Sequence, residues 1–364
     1  MNKTNGMKIN LIYLTTLNYR KSLFKELGNI SDFTLVCGDK SPYKNIVFDD
    51  DCDGYKVCKL KNVFLLKGRH RLTFQLPNFK VLKLIFKTRN QHFVFLGVDP
   101  HIVSSLFYSF FLKLLGYKIS WWGHGALGGG VIKAVRMVVF KYSHRILVYG
   151  NDAEVLSNSK LKHKVRVIGN SMNWEDYADT LSNKSTGVSP KRNGLNMVFS
   201  GRIVSDKKIE VLLEACLKLQ VNYKLIIIGE GDELEPSKAY CEKHSLNVEF
   251  IGAQYGVKVK EVMEWADVMV ITGKVGLSLV HAYGNNLPVI MHDRFELHSP
   301  EYEVHTNSDN FLFTMDNSDD LVIKLTNIFK KDLIPDEVSL CQNSLRKYGY
   351  FPDVVSAKFV NSLK

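Results

Sequence analysis

Short apolar runs rich in Ile, Val, Leu and Phe alternate along the chain with longer stretches in which apolar residues recur every three or four positions. The short runs predict strands buried on both faces and the long ones predict covering helices, the pattern of βαβ units and parallel sheets. In the first half this spacing predicts strands over 9–14, 33–38, 93–98, 118–123 and 145–150, with helices over 103–116 and 131–143. The second half repeats the plan, with strands over 195–201, 224–231, 247–252, 268–272 and 287–293 and helices over 209–219, 258–266 and 277–285. Between the halves, residues 179–194 hold few large apolar side chains and many Ser, Gly and Pro, as a linker does.

The expected division is a first Rossmann-like domain over 1–175, a linker over 176–193, a second Rossmann-like domain over 194–345 and a terminal helix over 346–364 returning towards the first domain. Two domains also suit 364 residues, because single cores stop growing at about 250–300. The fold class is therefore α/β, with two Rossmann-like domains facing each other across a cleft lined by the carboxyl ends of their strands.

Composition narrows the classes. With 45% hydrophobic and 23% charged residues the chain is an ordinary globular protein, neither disordered nor fibrous. No apolar run reaches the ~18 residues that span a bilayer, and the opening residues read as a strand entering a loop rather than a signal peptide, so a cytoplasmic location is expected. Six cysteines are scattered without a CxxC pair, which fits reduced buried thiols better than a zinc site. The net charge of +11 is uneven: residues 1–190 carry 28 Lys+Arg against 13 Asp+Glu, the remainder 20 against 24. Lys56 to Arg89 holds ten cations and no acid, and Phe79–Lys87 mixes large apolar residues with lysines. That segment is expected to form a short basic amphipathic helix on an anionic membrane surface at the inner face of the plasma membrane. A solvated basic face is the alternative. No recognised nucleic-acid module accompanies the charges, so no nucleic-acid partner is expected.

Three strand ends carry candidate chemistry. Gly201-Arg202 is followed five positions later by Lys207, just before a predicted helix, and two cations beside a helix N-terminus suit a diphosphate. Gly229-Glu230-Gly231 follows an apolar strand and permits close approach of a ligand to Gly231. The loop Thr272-Gly273-Lys274-Val275-Gly276 opens a helix at Leu277 and Ser278, whose N–H groups are placed for a second phosphate.

The order of these motifs, from the Gly-Arg pair through Ala266-Asp267 to Leu287-Pro288-Val289-Ile290, resembles the C-terminal domain of the family-4 retaining glycosyltransferases, which have the GT-B fold. The resemblance covers residues 197–292. It implies that Arg202 and Lys207 bind the donor diphosphate and neutralise the leaving group. The family's two glutamates, which contact the donor sugar and the ribose, fall here on Gly273 and His281. His281 retains a ring nitrogen for ribose hydroxyls, a structural histidine on the helix being the alternative, and Gly273 is expected to leave room for the sugar or for another residue. A subset from bacterial surface-polysaccharide (O-antigen and capsule) synthesis looks closer still. It shares the element Trp122-Gly123-His124-Gly125, a counterpart of Asn18-Tyr19-Arg20 in the acceptor region, and His292-Asp293 followed by Pro300-Glu301-Tyr302-Glu303. His124 is expected to hydrogen-bond the transferred sugar or the leaving diphosphate, a core histidine being the alternative. Glu301 or Glu303 is expected to take over contacts to the sugar, a plain surface loop being the alternative.

The resemblance implies transfer with retention from a UDP- or GDP-sugar to a lipid-linked oligosaccharide. No metal is expected to be essential, because Arg202 and Lys207 supply the positive charge. A GT-B nucleotide-sugar epimerase, a phosphorylase and a catalytically silent sugar-nucleotide-binding subunit are the competing readings.

Overall fold

The computed structural model describes residues 7–15, 20–40, 54–65, 72–79, 81–83, 91–151, 153–171 and 193–364. The chain divides into two compact units, Met1–Asn173 with Tyr350–Lys364, and Trp174–Gly349.

The first unit runs β1 (Lys8–Tyr13), α1 (Lys21–Ile30), β2 (Asp32–Gly38), β3 (Lys56–Leu65), β4 (Leu72–Leu76), β5 (Gln91–Leu96), α2 (Val103–Leu114), β6 (Lys118–Gly123), α3 (Gly130–Tyr142), β7 (Arg145–Val148) and β8 (Val165–Val167). Its sheet has the order β4-β3-β2-β1-β5-β6-β7-β8, parallel except where β3 meets β4. Successive strand residues point to opposite faces, so the neighbours Trp121 and Trp122 serve different cores. Trp122 packs with Leu11, Leu35 and the α1 residues Leu23 and Leu27, whereas Trp121 packs with Phe95, Ile119 and the α3 residue Phe140.

The second unit runs β9 (Leu195–Ser200), α4 (Ile209–Lys218), β10 (Tyr223–Ile228), α5 (Leu234–Lys243), β11 (Val248–Phe250), α6 (Val257–Trp265), β12 (Val268–Ile271), α7 (Leu277–Gly284), β13 (Val289–His292), β14 (Leu312–Phe313), α8 (Ser318–Lys331) and α9 (Ile334–Tyr348). The order β11-β10-β9-β12-β13-β14 is parallel throughout and reverses direction between β9 and β12. Such a switch point leaves a crevice beyond the carboxyl ends of the two strands. The Asp267 carboxylate accepts from the N–H of Asn196 at 2.8 Å, so this member of the Ala-Asp motif fixes the start of β9 beside β12.

Gly349, at φ 65°, ends α9, and Pro352 opens α10 (Pro352–Leu363). This last helix belongs to the first unit. It packs on α1, buries Val355, Phe359, Val360 and Leu363, and stands Phe359 edge-on to Trp122 at 5.3 Å. Arg145 Nε donates to the Ser362 carbonyl at 3.1 Å.

The basic segment opens with two strands, and Phe79 and residues 81–83 are helical. Lys56–Leu65 and Leu72–Leu76 are an antiparallel strand pair at the sheet edge, and Lys56 pairs with Asp32 at 2.7 Å. Most of the expected helix over Phe79–Lys87, with Lys80 and Lys87, lies outside the described residues, as do Lys67, Arg69, Arg71 and Arg89. No described helix is long and apolar enough to cross a membrane. The five described cysteines are free thiols.

Candidate active site

At the switch point of the second unit, the loop after β9 carries Arg202 and Lys207 and the loop after β12 carries Lys274. The two loops are held together backbone to backbone. Lys274 N donates to the Asp206 carbonyl at 2.9 Å, Thr272 Oγ1 donates to the Lys207 carbonyl at 3.1 Å, and Lys207 Nζ donates to the Lys274 carbonyl. Burial pushes the Lys207 ammonium below its usual pKa; the charges of Arg202 and Lys274 push the same way, and Asp206 opposes them. Three mutually repelling cations beside a strand end are a costly arrangement that an anionic ligand relieves. The adjacent Lys208 is committed elsewhere, to Asp316 at 2.6 Å.

Gly273 explains how the loops meet. A Cβ there would lie 2.2 Å from the Asp206 carbonyl oxygen and 2.5 Å from Lys207 Cα. The expectation that Gly273 leaves room for the sugar is therefore corrected: the space a side chain would fill is occupied by the backbone that carries Lys207. Gly231 works similarly, since a Cβ would lie 2.1 Å from the Ile203 carbonyl oxygen. Ile203 N donates to the Glu230 carbonyl at 2.9 Å and Glu233 N to that of Ile203 at 3.0 Å. Both glycines thus let neighbouring loops touch and so position Arg202 and Lys207.

Gly276 caps α7, and no atom lies nearer than 4.0 Å to the position of a Cβ there. Leu277 and Ser278, both half-buried, begin the helix, and first-turn N–H groups have no acceptor within their own helix. The loop before them is braced from behind. Val275 N donates to His298 Nδ1 at 3.1 Å, Ser299 N donates to the Val275 carbonyl at 3.0 Å, and His298 Nε2 lies 3.0 Å from the His292 carbonyl. An Nδ1 that accepts leaves the proton on Nε2, so His298 is neutral. His292 and His305 likewise accept backbone N–H groups at Nδ1, from Arg294 at 3.2 Å and Asn307 at 3.0 Å. Burial lowers all three pKa values, to about 4 for His292 and His305.

His281 sits half-buried on α7, and burial lowers its pKa to about 4, leaving a neutral ring. Glu301 and Glu303 lie on the turn Pro300–Val304, which packs against α7; Glu301 is buried and Glu303 half-buried. Among the described residues no cluster of three or more His, Cys, Asp or Glu is placed to hold a metal ion.

In the first unit His124 is exposed at the end of β6, its ring edge-on to Tyr149 at 4.8 Å. Gly125 follows at φ 67°, where a Cβ would lie 2.7 Å from Val148 Cγ1, and its carbonyl accepts from Val155 N at 3.0 Å. The glycine therefore fixes the path of the chain beside His124. Arg20 is only 1% exposed: it donates to Tyr149 Oη at 2.8 Å and Asn170 Oδ1 at 2.9 Å and lies 4.3 Å over the Trp122 ring. Within the first unit it is a buried brace beneath Tyr149. Asn18 lies outside the described residues.

Lys274 carries no motif of its own in the sequence, standing one residue after the position of the family's glutamate. His298 was missed because its ligand is a backbone N–H, which leaves no motif.

Comparison with known proteins defines the class first by fold. Sucrose-phosphate synthase from Thermosynechococcus elongatus matches 98% of this chain and 98% of its own, with 14% identity and a TM-score of 0.70. HepE from Anabaena, in complex with UDP, matches 98% and 99% with 13% identity and a TM-score of 0.69. The lipopolysaccharide outer core galactosyltransferase WaaB, in its apo form, matches 98% and 99% with 14% identity and a TM-score of 0.65. This is the GT-B fold. Residues 187–347, which take in the whole second sheet, match the family model described as Glycosyl transferases group 1. Fold and matched span together make the chain a GT-B protein whose second unit is similar to the group 1 glycosyltransferases. No curated protein matches the chain by sequence.

Proposed function

We propose that the chain transfers a hexose from a UDP- or GDP-sugar to a lipid-linked oligosaccharide during synthesis of a bacterial surface polysaccharide, working peripherally at an anionic membrane surface. The observation that carries the donor assignment is the gathering of Arg202, Lys207 and Lys274 at the switch point of the second sheet, with the Lys207 pKa already depressed. HepE is crystallised with UDP, which makes UDP-sugars the first donors to test.

Arg202 and Lys207 bind the diphosphate, and the N–H groups of Leu277 and Ser278 add the positive end of α7. His281 takes the ribose hydroxyls, and Glu303, the more accessible of the two carboxylates, takes the sugar. The bond between the anomeric carbon and the β-phosphate oxygen breaks with its electron pair going to the diphosphate. The acceptor hydroxyl attacks from the same face and passes its proton to the departing phosphate oxygen, so configuration is retained. Charge developing on the diphosphate is met by Arg202 and Lys207, with no essential metal. His124 hydrogen-bonds the transferred sugar.

A thermal-shift screen of UDP, GDP, ADP and CMP, followed by sugar conjugates of the stabilising nucleotide, tests the donor. One nucleoside diphosphate and one of its sugars should raise Tm, and CMP should not. No shift with any diphosphate would contradict the reading.

A further inference from the structure

Helix α2 is built inside out. Ser104, Ser105 and Ser109 are buried with Leu112, while Phe107, Phe110, Phe111 and Leu114 are exposed by 63, 53, 42 and 70%. Their spacing of i, i+3, i+4 and i+7 places the four large apolar side chains on one face. Two of the inward serines are hydrogen-bonded: Ser104 Oγ accepts from Gln75 N at 2.9 Å, and Ser109 Oγ donates to the Leu106 carbonyl at 2.8 Å and lies 2.7 Å from Tyr142 Oη. The fold therefore holds this face outward rather than leaving it exposed by a failure of packing.

The surface continues beyond α2. Phe110 stands edge-on to Tyr142 at 6.3 Å, and Tyr142 ends α3, whose exposed Val138 lies one turn earlier and whose exposed Val131 lies seven residues before that. Cations surround it. Residues 101–151 contain six Lys and Arg and no Asp or Glu. Lys113 is on α2, Lys141 is in the last turn of α3, and Lys164 reaches the end of α3 by donating to the Ser143 carbonyl at 3.0 Å. Burial holds the Lys164 pKa below its usual value and the charge of Lys113 adds to the shift, so these two ammonium groups share one region.

We propose that the α2 face, with Phe107, Phe110, Phe111 and Leu114, inserts into the headgroup layer of an anionic membrane while Lys113, Lys141 and Lys164 meet its lipid phosphates. This deepens, and rests on, the lipid-linked acceptor proposed above, and it assigns the contact to α2 rather than to Phe79–Lys87. Large apolar side chains beside several cations are the chemistry of an interfacial helix. A second copy of this chain is a poorer occupant, because a two-fold contact would set one basic surface against another.

The test uses the full chain and co-sedimentation with vesicles of phosphatidylcholine alone and of phosphatidylcholine mixed equally with phosphatidylglycerol. The parent should bind the anionic vesicles, bind the neutral ones at least about tenfold less, and release at high salt. The combined variant Phe107→Ser, Phe110→Ser, Leu114→Ser should lose binding by at least about tenfold, whereas Lys83→Glu should not. The three substituted side chains face solvent, so Tm and nucleotide-sugar hydrolysis in solution should match the parent; those readouts separate failure of this proposal from failure of the donor assignment. Undiminished vesicle binding by the triple variant would overturn the proposal. So would a parent that ignores vesicles and sediments as a dimer which the triple variant dissociates.

Discussion

Gly273 occupies the position where the resembling family carries a glutamate, and the structure forecasts what a side chain there would do. In Gly273→Ala the new methyl would sit 2.2 Å from the Asp206 carbonyl oxygen and 2.5 Å from Lys207 Cα. Ordinary contact requires the 206–207 backbone to retreat by more than about 1 Å. That retreat breaks or stretches the 2.9 Å bond from Lys274 N and the 3.1 Å bond from Thr272 Oγ1. Each such bond contributes about 0.5–1.5 kcal/mol, and overpacking typically costs about 1–3 kcal/mol, so a loss of roughly 1–3 kcal/mol of stability is expected. Because the displaced segment carries Lys207, affinity for the nucleoside diphosphate should fall as well. Gly273→Glu, which restores the family's residue, should be worse and not better. Urea unfolding and calorimetric titration measure the two effects. An alanine variant with parental stability and affinity would show that the loops are not in the contact described, and a glutamate variant with increased turnover would refute the reasoning outright.

Other outcomes follow from the same geometry. His292 and His305 titrate near 4 in the folded chain against 6.5 unfolded, so the fold binds fewer protons. Their contribution is complete above pH 6.5 and lost as pH falls towards 4, with a slope approaching about 1.4 kcal/mol per pH unit for each; unfolding free energy that is flat across that window would contradict the neutral tautomers. Phe359→Ala should lower stability by about 3–5 kcal/mol, because a fully buried ring is removed from Trp122, and an unchanged urea midpoint would contradict the packing of α10. His124→Ala should cut turnover by roughly 100-fold while leaving nucleotide affinity intact; equal steady-state rates would return His124 to a surface role.

Much of the fold was legible because parallel strands buried on both faces are apolar throughout, as β12 is. Arg202 and Lys207 were legible because a glycine marks the strand end and the cations follow at a fixed distance. What escaped was encoded in weaker signals. In β3 the lysines at 56, 59 and 61 lie on a half-exposed strand between β2 and β4, so the segment has the pattern of a charge run rather than of a strand. Helix α5, with Pro236 in its first turn and few buried side chains, lacked the apolar stripe that announces a helix. The roles of Gly273 and His298 were illegible in principle, since both depend on backbone atoms remote in sequence.

The central claim is that the cations at the switch point of the second sheet hold the donor diphosphate. Calorimetric titration of UDP and GDP into the parent and into Arg202→Ala, Lys207→Ala and Lys208→Ala tests it most directly. The account predicts that one nucleotide binds the parent, that the first two substitutions each weaken it by at least roughly tenfold, a charge-assisted bond being worth about 1.5–3 kcal/mol, and that Lys208→Ala, whose ammonium is engaged by Asp316, leaves the affinity largely unchanged. Equal dissociation constants for the parent, Arg202→Ala and Lys207→Ala would place the donor elsewhere and contradict it.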